Sequence, residues 1–187
     1  MTTIIGVQGN GWALIAADSK LVYGTQPFYA KQMDKVVKRG EYVFAFAGDA
    51  MAGDIANHLW TPPKISKSLD PDTFLMFKLL PSLKETFASA GYDPKQESKK
   101  DESGFDALIA FSGRIYQITS DYAWMRDDNK LFGIGSGGSY ALGALVAMKA
   151  NTKSIKMATQ VAKRAIQISS QYDIYTGGEV KVITTKE

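Results

Sequence analysis

The sequence predicts an α+β fold built as a sandwich of sheets covered by further layers. Three observations lead there. Strand-like and helix-like segments come in separate blocks rather than in βαβ alternation. Several strand segments are apolar at nearly every position, as strands buried on both faces require. No internal repeat and no Pro/Gly/Ser-rich linker breaks the 187 residues, so residues 1–187 are expected to form one domain.

Residues 3–8 (TIIGVQ) are rich in β-branched side chains, and residues 12–17 (WALIAA) are apolar. Gly9-Asn10-Gly11 between them tolerates positive φ, so the pair reads as a hairpin. A second pair, 35–38 (KVVK) and 42–47 (YVFAFA), turns at Arg39-Gly40-Glu41. Helical spacing over 51–60 stops at Thr61-Pro62-Pro63. Asp70-Pro71-Asp72 supplies an acidic cap and a first-turn proline, and opens a long helix to about Ala90 carrying Phe74, Phe77, Leu80 and Leu83. Residues 92–104 are polar and Pro/Gly-punctuated, hence a loop. Their charge run 95–102 (KQESKKDE) mixes both signs, as a solvated loop does. Strands over 106–111 and 114–119 flank Ser112-Gly113. A short strand, 131–134, leads into Gly135-Ser136-Gly137-Gly138. Helices over 140–150 and 154–170 and a last strand over 180–185 complete the chain.

Composition narrows the function. A 45% hydrophobic, 22% charged chain is ordinary for a soluble globular protein. The net charge is only +3 with no dense Lys/Arg block, so no nucleic-acid partner is expected. The lack of cysteine excludes disulfides, cysteine nucleophiles and thiolate metal sites. No basic stretch followed by an apolar run opens the chain, so no signal peptide is expected. No apolar stretch reaches the roughly 18–20 residues of a membrane helix. A soluble, cytoplasmic protein without a membrane partner is the expectation. His58 is the only histidine and lies within a helical stretch with no serine or cysteine signature. It reads as a structural or surface residue, which argues against a Ser–His–Asp triad and against zinc.

Five fragments point further: Thr2-Thr3-Ile4-Ile5-Gly6-Val7 with Ile15-Ala16-Ala17-Asp18-Ser19; Asp34-Lys35-Val36-Val37; Phe44-Ala45-Phe46-Ala47-Gly48; Gly133-Ile134-Gly135-Ser136-Gly137-Gly138-Ser139-Tyr140; and Asp173-Ile174-Tyr175-Thr176-Gly177-Gly178. Each alone is weak, since a GSGG is a flexible turn. In this order, over almost the whole chain, they resemble the proteasome β subunits and the HslV-type peptidases, threonine proteases of the N-terminal-nucleophile hydrolase family. The resemblance implies a four-layer αββα sandwich.

It also implies a site with a physical rationale. A threonine hydroxyl is a weak nucleophile that needs a base. An α-amino group, with an ordinary pKa of about 7.7–8.0, can serve as that base when threonine is the first residue. Removal of Met1 would leave Thr2 in that position; read on position alone, Thr2 is an ordinary strand-initiating residue. Asp18 closes an apolar strand and needs a cation or donors. The family pairs it with the lysine matching Lys35, whose ammonium would favour the ionised hydroxyl and the neutral amine. Lys31 and Lys38 are rivals; Lys35 is preferred because it directly precedes Val36-Val37, although its separation from Asp18 differs slightly from the family's. Gly48 would offer its backbone N–H to the oxyanion, and would equally serve as a turn-permitting glycine before a helix. Ser136 would place its hydroxyl near the amine of the nucleophile; as a helix cap, Ser139 is better placed. Asp173 and Thr176 match an Asp-x-x-Ser-Gly stretch in which Thr176 keeps the hydroxyl.

By the same resemblance, Leu21, Met33, Phe46 and Ala50 would wall the specificity pocket. Apolar walls imply a mild preference for cleaving after hydrophobic residues, with Phe46 making the pocket shallow. No cofactor is required, but carbonyls of the Ser170–Thr176 loop could hold a structural cation as in some relatives. Unfolded polypeptides would be the substrate, stacked hexameric or heptameric rings the assembly, and an ATP-dependent unfoldase the partner. The end of the chain at Glu187 leans toward the HslV type, and Asp173-x-x-Thr176-Gly177-Gly178 toward the proteasome. Two other classes share the fold: an inactive, unprocessed scaffold subunit and a small-molecule amide hydrolase.

Overall fold

The computed structural model describes residues 2–23, 26–28, 34–95 and 104–186. Strands β1 (Ile4–Gln8) and β2 (Trp12–Asp18) form the first hairpin, and β3 (Leu21–Tyr23) and β4 (Gln26–Phe28) a small separate one. Then come β5 (Val36–Arg39), β6 (Tyr42–Gly48) and helix α1 (Ala50–His58). A helical run comprises α2 (Pro71–Phe74), a π-helical turn (Leu75–Leu79) and α3 (Leu80–Ser89). Strands β7 (Phe105–Phe111), β8 (Arg114–Thr119), β9 (Trp124–Met125) and β10 (Leu131–Ile134) follow. Helices α4 (Gly138–Ala147) and α5 (Ile155–Ser169) precede β11 (Val180–Lys186).

One sheet has the order β10-β1-β2-β11 and the other β5-β6-β7-β8-β9, with neighbours antiparallel throughout. Strict side-chain alternation explains why the strands read as continuous apolar runs. In β6, Val43, Ala45 and Ala47 face the other sheet, while Tyr42, Phe44 and Phe46 face α1 and α3. In β2, Ala13, Ile15 and Ala17 point between the sheets, and Leu14 and Ala16 toward α4 and α5. Three hydrophobic layers therefore separate four structural layers: the α1–α3 helices, the two sheets, and α4 with α5. The fold is the αββα sandwich. Alanines and aliphatic side chains fill the space between the sheets, whereas the α1–α3 layer is rich in aromatics, with Trp60 edge-on to Phe44 at 5.2 Å.

Several elements depart from expectation. The long helix is not uniform. Pro81 has no N–H to give the carbonyl four residues back, and its ring crowds that carbonyl; the π turn just before it widens the helix to accommodate this. Phe77, in that turn, is exposed rather than part of an apolar face. Helix α1 stops at His58, two residues short, and the backbone there lets Trp60 bury its indole. Pro94 and Lys95 are helical where a loop was expected; Asp93 accepts from the Lys95 N–H, with the proline in the first turn. Strands β3, β4 and β9 are too short to leave a period. The charge run beyond Lys95 lies outside the described residues. Among the described residues, no helix is long and apolar enough to cross a membrane.

Trp60 is fully buried and its Nε1 donates to Ser82 Oγ at 3.1 Å. Trp60→Ala should lower unfolding stability by about 3–5 kcal/mol in a urea titration.

Candidate active site

Register builds the site. Ile4 lies opposite Ala17, and one step beyond the ladder Thr3 meets Asp18, whose N–H donates to Thr3 O at 3.3 Å. On the other side Ile134 lies opposite Ile4, so Gly135-Ser136-Gly137 runs alongside Thr2 and Thr3. Strand alternation then parts the two threonines. Thr2 follows Ile4, which faces the space between the sheets; Thr3 follows Ile5 and Val7, which face α4 and α5.

Asp18 is 2% exposed and its carboxylate accepts five hydrogen bonds. Oδ1 takes Thr2 Oγ1 at 2.7 Å, Thr3 N at 3.0 Å and Lys35 Nζ at 2.9 Å. Oδ2 takes the Lys20 and Gly177 N–H groups at 3.1 and 3.0 Å. A buried carboxylate is tolerated only when paired and saturated in this way. Lys35 sits just before β5, in the other sheet, so the ion pair ties the two sheets together at their edge. Its side chain is 8% exposed, and its ammonium also donates to Lys20 O. Burial pulls the Lys35 pKa below its ordinary value, against the opposing attraction of Asp18. Of its rivals, Lys38 is exposed on β5 and Lys31 lies outside the described residues.

A second network lies behind Thr2. Ser136 Oγ donates to Asp173 Oδ2 at 2.8 Å and, at 3.4 Å, to Thr2 O. Thr176 Oγ1 donates to the same Asp173 oxygen at 2.5 Å and meets Thr3 Oγ1, which in turn meets Ser169 Oγ at 3.0 Å. Ser169 donates to Gly137 O. Gly135, at φ +84°, passes so close to Thr2 that a Cβ there would fall 2.2 Å from Thr2 O. Ser136 thus lies against Thr2 and Asp173, and neither it nor Ser139 caps a helix. Helix α4 starts at Gly138 with Gly137 as its uncapped N-cap, and Ser139 lies inside it. Thr3 and Ser169 were not singled out from sequence, although Thr3 beside Thr2 on a strand edge carried the signal of a hydroxyl on the opposite face.

Thr2 lines a cleft of about 270 Å³ together with Lys35 and Gly48. Gly48 ends β6 at φ +94°, and a Cβ there would sit 2.2 Å from Gly104 O. Leu21, Phe46 and Ala50 line the cleft; Met33 lies outside the described residues. The lining also includes Asp34, Asp49, Asp54 and Asn57, to which sequence reasoning gave no role, and His58, which it read as structural or surface. His58 ends α1 instead of lying mid-helix, and Asp54 and His58 share the i, i+4 face that could have marked them. At the Ser170–Thr176 loop, Lys20 Nζ already donates to Ile174 O, so an ammonium occupies that carbonyl. Among the described residues no group of three His, Asp or Glu is placed to hold a metal.

Two outcomes follow from this geometry. Gly48→Ala should cost about 1–3 kcal/mol of stability, read by chemical denaturation, because both its φ and its contact with Gly104 exclude a Cβ. The lowered Lys35 pKa means the unfolded chain binds that proton more tightly. Between the lowered value and the ordinary 10.5, stability from this group therefore rises with pH. Unfolding titrations across that interval should show the stability difference between the natural chain and Lys35→Met moving in favour of the natural chain as pH rises.

No model of a known protein family matches the chain. Curated relatives do. The ATP-dependent protease subunit HslV of a Thermoanaerobacter species is 26% identical, over 98% of this chain and 97% of that one. HslV of Pediococcus pentosaceus is 25% identical over 100% and 95%. Among solved structures, Thiobacillus denitrificans BPH superposes with a TM-score of 0.74 at 22% identity, covering 99% of this chain and 98% of that one. The same protein in complex with epoxomicin gives 0.72. HslV from Trypanosoma brucei gives 0.67 at 16% identity, covering all of both chains. Over nearly its whole length the chain is similar in sequence to HslV protease subunits and in fold to the solved BPH and HslV structures.

Proposed function

We propose that the chain is a threonine endopeptidase subunit whose nucleophile is Thr2 once Met1 is removed. The observation that carries this reading is the meeting of Thr2 Oγ1 and Lys35 Nζ on one oxygen of Asp18, in a cleft edged by Gly48. The other lone pairs of Asp18 serve backbone donors, so Asp18 orients the hydroxyl and the base lies elsewhere. The freed α-amino group of Thr2 is that base. It takes the hydroxyl proton, directly or through one water, as Oγ1 bonds to the peptide carbonyl carbon. The Gly48 N–H donates to the resulting oxyanion, and the Lys35 ammonium offsets the charge growing on Oγ1. The C–N bond breaks, and the protonated amine returns its proton to the departing amino group. Water then attacks the ester, gives a proton to the same amine, and Thr2 is regenerated. Ser136, Asp173 and Thr176 hold the Thr2 backbone in place throughout.

The relatives are named as subunits of ATP-dependent proteases. The assembly proposed here is accordingly a cytoplasmic stack of hexameric or heptameric rings, fed unfolded polypeptide by an ATP-dependent unfoldase. Enclosure gives the physical logic, since a folded protein cannot enter such a chamber. Exposed apolar surface supports an oligomer: Tyr140 and Tyr172 stack at 5.9 Å while both are exposed, and neighbouring Ile174 is 73% exposed.

Intact mass spectrometry tests the nucleophile. A chain lacking Met1 should gain one epoxomicin, and Thr2→Ala should gain none and lose peptidase activity by about 10⁴-fold or more with an unchanged circular dichroism spectrum. Retained activity in Thr2→Ala would refute the assignment. Lys35→Ala should abolish turnover and Lys38→Ala should not. Light scattering of the processed protein should give a ring mass rather than that of a monomer.

A further inference from the structure

The cleft beside Thr2 adds charged side chains to the apolar ones expected of it. Phe46, Val37 and Ala50 line it with apolar surface, and Asp34, the α1 cap Asp49 and Asp54 line it with carboxylates. Their pairing is uneven. Asp34 is bridged to Lys181 at 2.6 Å, and Lys35 is committed to Asp18. Asp49 accepts from the Met51 N–H and the Tyr92 hydroxyl, neither of them cationic. Asp54, exposed one turn further along α1, has no hydrogen bond or ion pair among the described residues. Asn57, on the same wall, has a buried Oδ1 with no donor. Among the described residues, Lys35 is therefore already paired and His58 ends the same wall with no side-chain hydrogen bond or ion pair, while Asp54 has no partner and Asp49 only neutral ones.

An apolar side chain entering this cleft would take water from Asp49 and Asp54 and return nothing. A lysine or arginine side chain fits both halves of the wall. Its methylene stem packs on Phe46 and Ala50, and its charged head reaches Asp54 with charge-assisted hydrogen bonds. Resting on the peptidase reading above, we infer that the cleft selects peptides with lysine or arginine immediately before the cleaved bond, and that Asp54 reads the charge.

The test uses the processed chain and a set of short fluorogenic peptides identical except at that position, at low ionic strength. The Arg and Lys peptides should exceed the Leu peptide in kcat/KM by about tenfold. The Arg-to-Leu ratio should fall toward one in Asp54→Asn, persist in Asp54→Glu, shift toward Glu peptides in Asp54→Lys, and shrink as salt is raised. Cleavage after Leu or Tyr as fast as after Arg, or an unchanged ratio in Asp54→Asn, overturns the specificity while the peptidase reading stands. A processed chain that cleaves none of the peptides and takes up no epoxomicin overturns the peptidase reading, and the specificity with it.

Discussion

Asp18 is the constraint on which the rest of the site depends. A carboxylate buried at a strand end must be matched donor by donor, and its five donors come from four separate places in the chain. Thr2 and Thr3 come from the start of β1, Lys20 from the turn after β2, Lys35 from the far sheet, and Gly177 from the segment before β11. Satisfying one charge therefore fixes the relative position of both sheets at their common edge. The same demand sets the direction of the Thr2 hydroxyl.

The surrounding packing makes that convergence rigid. Alanines between the sheets let the layers approach closely, and aromatic side chains on the α1–α3 face fill the space that a twisted five-stranded sheet leaves. Behind Thr2, where the Gly-rich turn passes, side chains are excluded and hydroxyls take their place. Gly135 has no room for a Cβ, and Gly137 would meet the hydroxyl oxygens of Thr3, Ser169 and Thr176. Backbone closeness and hydroxyl bonding are two sides of one arrangement. It leaves the Thr2 main chain held by Ser136 and Gly137.

Much of the fold was legible because strands buried on both faces write themselves as continuous apolar runs, and helices carry caps such as Asp70 and Ser154. Legibility failed where a local rule met a neighbouring one. Pro81 turned a periodic helix into a π turn, and burial of Trp60 ended α1 early. The short hairpin β3–β4 had no period to display. The loop assigned to residues 92–104 opens instead with a capped helical turn at Pro94.

The candidate site divides along the same line. Thr2, Asp18, Lys35, Gly48, Ser136, Asp173 and Thr176 could be named from sequence because they fall in fragments that resemble the HslV and proteasome β-subunit pattern, whereas position alone leaves Thr2 an ordinary strand-initiating residue. Thr3, Ser169 and the carboxylates of α1 could not be, because their roles come from contacts between segments far apart in sequence. Ser169 meets Thr3 across a separation of 166 residues. The charge balance of the cleft depends on which carboxylate finds a cation; among the described residues Lys181 reaches Asp34 and no cation pairs with Asp54. The sequence by itself determined the separate blocks of longer strands and helices, because periodicity and local caps are properties of neighbouring residues, and its resemblance to a known family supplied the four layers and the hydroxyl, carboxylate and ammonium candidates. Only the tertiary structure decided which charges are paired and which face the cleft, because pairing across sheets is a property of distance in space.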